Sequence, residues 1–398
     1  MRAASVFPTL PQPITLTVYM SEVITCIEDL RRLAKKRVPK MFYDFVDTGS
    51  WTEQTYRSNQ EDFQRIMLRQ RILVNMEVRS TATNMVGQPV SMPVALAPTG
   101  MTGFQHADGE ILAARAAKVF GVPFTLSTMS ICSMEDVSAG IDGHPFWFQL
   151  YVMKDRSFVE RLIERARAIR CSALVLTLDL QMIGQRHIDI KNGLSVPPRF
   201  NLSAIADLST KLRWGWNMLK TSRRHFGNIV GHTDQKMDLA GYATWINNQF
   251  DPSLTWDDVA WIKTRWDGKL ILKGIMDAED AKRAVDTGAD ALIVSNHGGR
   301  QLDGAPSSIS ALPHIVDAVG KQVEIHMDGG VRSGQDVLKA RALGAQGCYI
   351  GRSFLFGLGA MGEAGVTKAL EIIHRELELS MAFCGKTDIH AVDRSILI

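Results

Sequence analysis

The segment Ser295-Asn296-His297-Gly298-Gly299-Arg300-Gln301-Leu302-Asp303 sets a base and a fixed cation three residues apart. It follows the apolar run Ala291-Leu292-Ile293-Val294, so it reads as a buried strand breaking into a loop. Taking hydrogen from a carbon beside a carboxylate requires those two parts. One group takes a proton and the other holds the carboxylate. The paired glycines let the backbone turn sharply and let a flat ligand come close. A lone histidine at a strand end is more often a satisfied core residue, but Asn296, Gly298, Gly299 and Arg300 favour an open site.

Similar polar endings follow seven more apolar runs. The eight runs are Met92–Ala97, Pro123–Ser127, Phe146–Tyr151, Ala173–Asp179, Leu270–Lys273, Ala291–His297, Val323–Asp328 and Gly347–Gly351. They are continuously apolar, as expected of parallel strands buried on both faces. Helical stretches separate them. Ser333-Gly334-Gln335-Asp336 has the form of a capping box, and Asp277-Ala278-Glu279-Asp280 opens a second helix in the same way. Eight such units predict a TIM (β/α)8 barrel. An open doubly wound sheet is the alternative, but no G-x-G-x-x-G follows the first run.

Barrel chemistry sits at the carboxyl ends of strands. Those ends here carry Pro98-Thr99-Gly100, Ser127, Gln149 with Tyr151, Thr177 and Asp179 with Arg186 beyond, Lys273, His297 with Arg300, Asp328-Gly-Gly330-Val-Arg332, and Gly351-Arg352. The last two read as a phosphate cradle of exposed backbone N–H groups and guanidiniums, or as a plain turn with a surface ion pair. Lys273 is compatible with a Schiff-base lysine, a structural ion-pair partner or a cation beside an electron-accepting ring. The third is preferred, because the phosphate site then belongs to a cofactor. Asp179 is placed to pair with the imidazolium of His297, or with an arginine. The histidines show no metal-ligand spacing.

The composition is ordinary for a globular chain of 398 residues, 45% apolar and 22% charged. No run is long enough to span a bilayer. Cys26, Cys132, Cys171, Cys348 and Cys384 are scattered and odd in number, which suits reduced thiols in a cytoplasmic setting. The net charge of +3 hides a local excess: six Lys and Arg against only Asp207 between Arg199 and Phe226. Tryptophans and leucines interleave with these cations, which suits a membrane surface. A solvated basic helix or a lid are the other readings. Nucleic acid is not expected, since no binding motif is present. Residues 1–21 are expected to be a disordered extension, with Met20 a possible start. Residues 22–398 are expected to be one barrel domain, with a helical lead-in over 22–90 and an insertion at about 192–240 after the fourth strand.

Taken together, these residues resemble the FMN-dependent L-2-hydroxy acid dehydrogenases and oxidases. The resemblance runs from Val23 to Ile396 through Ser295–Asp303, Phe148-Gln149-Leu150-Tyr151, Leu272-Lys273-Gly274, Asp328–Arg332 and Ile350-Gly351-Arg352. Leu68–Leu73, Pro123–Thr128 and Asn248–Ser253 are most similar to the respiratory L-lactate dehydrogenases of bacteria. The resemblance implies FMN as cofactor and oxidation of an L-2-hydroxy acid, lactate foremost. Electrons would pass to a quinone or cytochrome at the inner face of the membrane, or alternatively to oxygen. It implies His297 as the base, Asp179 as its partner, Arg186 and Arg300 on the substrate carboxylate, and Tyr151 on the substrate oxygen. Pro98, Thr99, Gly100, Ser127, Gln149, Thr177 and Ser295 would contact the flavin, with Lys273 at its N1–O2 edge. Asp328, Gly330, Arg332, Gly351 and Arg352 would hold the ribityl phosphate. Family members are often homo-oligomers. Two departures stand out. Phe45 replaces a tyrosine that binds the carboxylate in many relatives, and Gly100 stands where oxidases often have alanine. The insertion lies where mandelate dehydrogenase has its membrane-binding segment.

Overall fold

Eight short apolar runs become eight parallel strands because each is buried on both faces, so every backbone group must be paired within the sheet. The computed structural model describes residues 23–194, 202–231 and 239–398; the expected extension at 1–21 lies outside them. The barrel strands are β1 (Val94–Leu96), β2 (Thr125–Ser127), β3 (Trp147–Leu150), β4 (Ala173–Thr177), β5 (Lys269–Ile275), β6 (Ala291–Val294), β7 (Glu324–Met327) and β8 (Gly347–Ile350). Their order around the barrel is β1-β8-β7-β6-β5-β4-β3-β2, all parallel. The ring closes between β1 and β2 through a single bridge, Leu96 to Phe124, with the Leu96 N–H donating to the Pro123 carbonyl at 2.9 Å. This is the TIM barrel expected from the sequence.

Outward residues such as Leu174, Leu176, Ile325 and Met327 join the helices in the main core. Inward residues form a second cluster that includes Trp147, Val175, Ile271, Ile293 and Tyr349. Alternate residues therefore build two separate cores, as the period of a strand requires. Ser333 and Asp336 exchange the two hydrogen bonds of a capping box at the head of Gly334–Ala342. Asp277 caps Ala278–Asp286 by accepting from the Glu279 N–H.

The lead-in is helical, as expected, up to Arg65 and extended beyond it. Three helices, Ile27–Arg37, Lys40–Asp47 and Gln54–Arg65, are followed by extended chain and a hairpin, Thr83–Met85 with Gln88–Val90. Met85, Val86 and Val90 plug the amino-terminal end of the barrel. The two-residue turn has Val86 at φ 50° and Gly87 at φ 77°. A β-branched residue is rarely placed there, so the turn carried no sequence signal.

Between β4 and β5 lie the helices His187–Lys191, Leu202–Thr210, Leu212–Lys220 and Leu239–Gln249, then the crossover helix Trp256–Arg265. The basic, tryptophan-rich stretch falls mainly on the second and third of these. Arg199 lies outside the described residues.

Candidate active site

His297 leaves the end of β6 in the left-handed region, at φ 58°, followed by Gly298 and Gly299 at φ 66° and 73°. A non-glycine residue held there signals a constrained site. A Cβ on Gly299 would fall 2.5 Å from the Tyr56 nitrogen, so only glycine lets this loop pass the Gln54–Arg65 helix. The loop is tied down by its polar residues. Asn296 and Asn59 exchange amide hydrogen bonds of 2.9 and 2.8 Å, and Asp303 accepts from the Thr52 and Thr55 N–H groups.

The imidazole Nδ1 of His297 lies 2.9 Å from Asp179 Oδ1, which leaves Nε2 for a substrate. Burial raises the Asp179 carboxyl, but the charges of His297 and Lys273 outweigh it and hold it below the usual carboxylate range. Gln301 donates to the carbonyls of Asp179 and Met182, both at 2.8 Å, and so fixes the loop that carries the aspartate.

Lys273, on β5, is buried with its ammonium 3.0 Å from Asp328 Oδ2 and 2.7 Å from Ser295 Oγ. Ser295 Oγ also accepts from the His297 N–H at 3.1 Å, so one hydroxyl joins the lysine to the histidine loop. Burial lowers the Lys273 ammonium, but Asp328 and then Asp179 raise it above the ordinary lysine value. A charged amine is no nucleophile, which argues against a Schiff-base role.

These groups border a cavity of about 290 Å³ at the carboxyl end of the barrel. Its β2–β4 wall is a polar ladder. Ser127 Oγ donates to Gln149 Oε1 at 3.1 Å, and Gln149 Nε2 donates to Thr177 Oγ1 at 3.0 Å. Pro98, Thr99 and Gly100 line the cavity from the end of β1. The β7–β8 side is glycine-rich. A Cβ on Gly330 would fall 1.8 Å from the Asn59 carbonyl oxygen, while one on Gly351 would meet nothing nearer than 3.7 Å. Arg352 spends three donors on the carbonyls of Val46, Gly298 and Thr48 at 2.6, 2.9 and 2.8 Å. Burial, then the nearby charge of Arg332, brings Arg352 down to about 10 despite the opposing influence of Tyr56. Arg332 donates to the Val331 carbonyl at 3.0 Å and is lowered chiefly by burial.

Opposite the histidine, two guanidiniums flank one ring. Arg300 Cζ is 4.5 Å and Arg186 Cζ 5.7 Å from the centre of Phe45. Arg300 donates to the Phe45 and Thr48 carbonyls, and Arg186 Nε donates to Asp189 at 2.6 Å. Burial and the charge of Arg186 push Arg300 well down, so an incoming anion is the missing compensation. Tyr151 lines the same space, its phenol raised by burial and then by Asp179.

The structure thus brings every expected site residue but Gln149, Thr177, Asp179 and Ser295 onto the cavity itself. Those four stand behind it: Gln149 bonds Ser127 and carries Thr177, Asp179 bonds His297, and Ser295 bonds Lys273. Sequence reading missed Asn59, Asp189 and Gln301, which position the others. Asn59 and Gln301 lie in polar stretches and Asp189 between two isoleucines, and no periodicity marks any of them.

The residues fit a bound flavin phosphate. Asp328 Oδ1 is buried without a partner among the described residues and suits a hydroxyl donor, and the polar ladder suits a heteroaromatic edge. The arginines and glycines suit an anion. Fold and site define a flavin-linked oxidoreductase. The model of the FMN-dependent dehydrogenase family matches residues 34–398, and the chain belongs to that family. It is 44% identical over 377 residues to the L-lactate dehydrogenase of Pseudomonas putida (strain GB-1), covering 94% of this chain and 98% of the relative. To the L-lactate dehydrogenase of Ectopseudomonas mendocina (strain ymp) it is 42% identical, covering 94% and 99%. Among solved structures, the monotopic membrane protein (S)-mandelate dehydrogenase superposes with a TM-score of 0.90 at 34% identity, over 95% of this chain and 100% of that one.

Proposed function

We propose that this enzyme oxidises an L-2-hydroxy acid, foremost L-lactate to pyruvate, and passes the electrons to a quinone or cytochrome. The observation that carries the reading is the His297–Asp179 pair at 2.9 Å facing a cavity that also holds Arg186 and Arg300. Bound FMN supplies the two-electron acceptor. Arg186 and Arg300 bind the substrate carboxylate and fix its carbon in front of the imidazole. Tyr151 hydrogen-bonds the substrate oxygen. Nε2 of His297 takes a proton, and Asp179 stabilises the imidazolium and holds the ring in place. Lys273, held by Asp328, would keep a positive charge beside the bound flavin. Pro98, Thr99, Gly100, Ser127, Gln149 and Thr177 seat the ring system. Gly330, Arg332, Gly351 and Arg352 take the phosphate.

Attachment to the membrane surface is part of this reading. On helix Leu212–Lys220, Trp214 and Met218 face inward: Trp214 stacks on Phe42 at 5.5 Å and donates to the Phe104 carbonyl at 2.9 Å. Leu212, Trp216 and Leu219 are 79%, 60% and 68% exposed at a spacing of one helical face. Lys220 stands 5.0 Å over Trp216. A helix pinned by one face and offering apolar and basic side chains on the other suits an anionic lipid surface. No helix of the described residues is long and apolar enough to cross a membrane. A homo-oligomer is also expected.

The test is anaerobic mixing of the FMN-loaded protein with L-lactate, glycolate, longer 2-hydroxy acids and L-mandelate. Rapid bleaching of the flavin with L-lactate is expected; no bleaching with any of them would refute the reading. Steady-state turnover with a quinone analogue against oxygen then separates a dehydrogenase from an oxidase.

A further inference from the structure

Strand β7 carries a column of ionisable groups along the inner face of the barrel. Residues 324, 326 and 328 alternate with Ile325 and Met327, which face the outer core. Ala291 and Ile293, the register partners of Glu324 and His326, belong to the inner core, so all three side chains share the inner face. Asp328 stands at the cofactor cavity, paired to Lys273. His326 is fully buried in the middle, and the Glu324 side chain is 23% exposed at the opposite end.

The groups connect. His326 Nε2 is 2.7 Å from Glu324 Oε1, and its Nδ1 is 3.4 Å from the hydroxyl of Tyr349. Tyr349, on β8, lines the cofactor cavity and is itself buried. With the hydroxyl donating to Nδ1, the Nε2–H donates to Glu324. Glu324 also accepts from the Val86 N–H at 2.9 Å, which aims it at the base of the barrel beside the plug. The other charge near it is Lys269 on β5, already paired to Asp290 at 2.7 Å. Room for the imidazole comes from Gly347: a Cβ there would fall 3.1 Å from the His326 ring and 2.3 Å from the Met85 methyl. Three linked polar side chains in a barrel core are costly to desolvate, and packing alone would be met by apolar residues. None of the three takes part in the chemistry described above.

We propose that Tyr349, His326 and Glu324 form a proton path from the floor of the flavin cavity to solvent at the far end of the barrel. The path rests on the reading of that cavity as the FMN site. Oxidation of a hydroxy acid brings two electrons and two protons into a cavity whose mouth is occupied by substrate or acceptor. An acceptor that takes electrons alone leaves the protons behind. A proton reaching the Tyr349 oxygen releases the hydroxyl hydrogen to His326 Nδ1. The imidazolium then gives its Nε2 hydrogen to Glu324, which gives it to water. Each bond to hydrogen that breaks is matched by one that forms, no electrons move, and one proton crosses the barrel. Tautomer exchange of the ring and rotation of the hydroxyl reset the path.

The test uses FMN-loaded protein reduced with dithionite and no hydroxy acid. It is mixed with ferricyanide, which takes electrons and no protons. Return of flavin colour and release of protons to an indicator dye are followed together. In the unaltered protein the two should coincide. In Tyr349→Phe, which removes one oxygen atom, and in His326→Leu, proton release should lag colour by about tenfold or more, while colour returns at its usual rate. Added imidazole should abolish the lag in His326→Gly. Proton release that keeps pace with colour in both Tyr349→Phe and His326→Leu would overturn the path. Because no hydroxy acid is present, this outcome is independent of whether the substrate assignment holds.

Discussion

The guanidinium of Arg300 lies 4.5 Å over the ring of Phe45, and Arg186 lies 5.7 Å from the same ring. Two cations therefore lie against one aromatic ring where a phenol would offer a donor. Phe45→Tyr should lower KM for L-lactate by about tenfold, the worth of one hydrogen bond to a charged group, with kcat little changed. Bulky 2-hydroxy acids should gain less. Phe45→Leu removes the ring but keeps apolar bulk, and should raise KM for every substrate. Comparison of kcat/KM for L-lactate and L-mandelate across the three proteins checks this.

Asp179→Asn keeps the shape of the His297 pair and removes its charge. Turnover should fall by roughly 10³–10⁴, as when a histidine base loses its carboxylate. The pH dependence of stability has a defined sign. The folded carboxyl is held below its unfolded value of about 3.9, so its stabilisation is present above that pH and is lost as pH falls through the folded value. Thermal melts should show Asp179→Asn less stable than the unaltered protein near neutrality. The gap should close in acid.

Lys273 and Asp328 are both buried, so removing either strands a charge. Lys273→Met should cost about 3–5 kcal/mol and release FMN. The double variant Lys273→Met with Asp328→Leu should recover most of the melting temperature without recovering FMN. Recovery of both would show that the pair does not hold the cofactor.

Trp216→Glu with Leu219→Glu changes only exposed side chains of the basic helix. The activity should move from the membrane pellet to the supernatant, with turnover of a soluble acceptor retained. Fractionation followed by assay of each fraction measures it. Persistence in the pellet would place attachment elsewhere.

The barrel was legible because each strand is a short apolar run ended by polar or glycine residues, and that pattern survives in a single sequence. His297, Arg300, Lys273 and Asp328 were legible for the same reason: strand ends announce them. Asn59 and Gln301 were not, because their partners are brought close only by the closed fold; Asn59 meets Asn296 across 237 residues. Asp189 bonds Arg186 only three residues away, but an acid at that spacing reads as an ordinary helix-surface pair. The hairpin plug was missed because Val86 takes a positive φ that its side chain disfavours. His326 was missed because a histidine within an apolar strand reads as packing until Tyr349 and Glu324 are seen beside it.

One backbone bridge, Leu96 to Phe124, zips β1 to β2, whereas β6 and β7 share four register pairs. The residues at the carboxyl ends of β1 and β2, Pro98 to Gly100 and Ser127, are the ones proposed to grip the flavin ring. The cofactor then laces the weakest edge of the cylinder. Stripped of FMN, the barrel should breathe there first, and amide hydrogen exchange at Leu96 should quicken well ahead of that at Ile293.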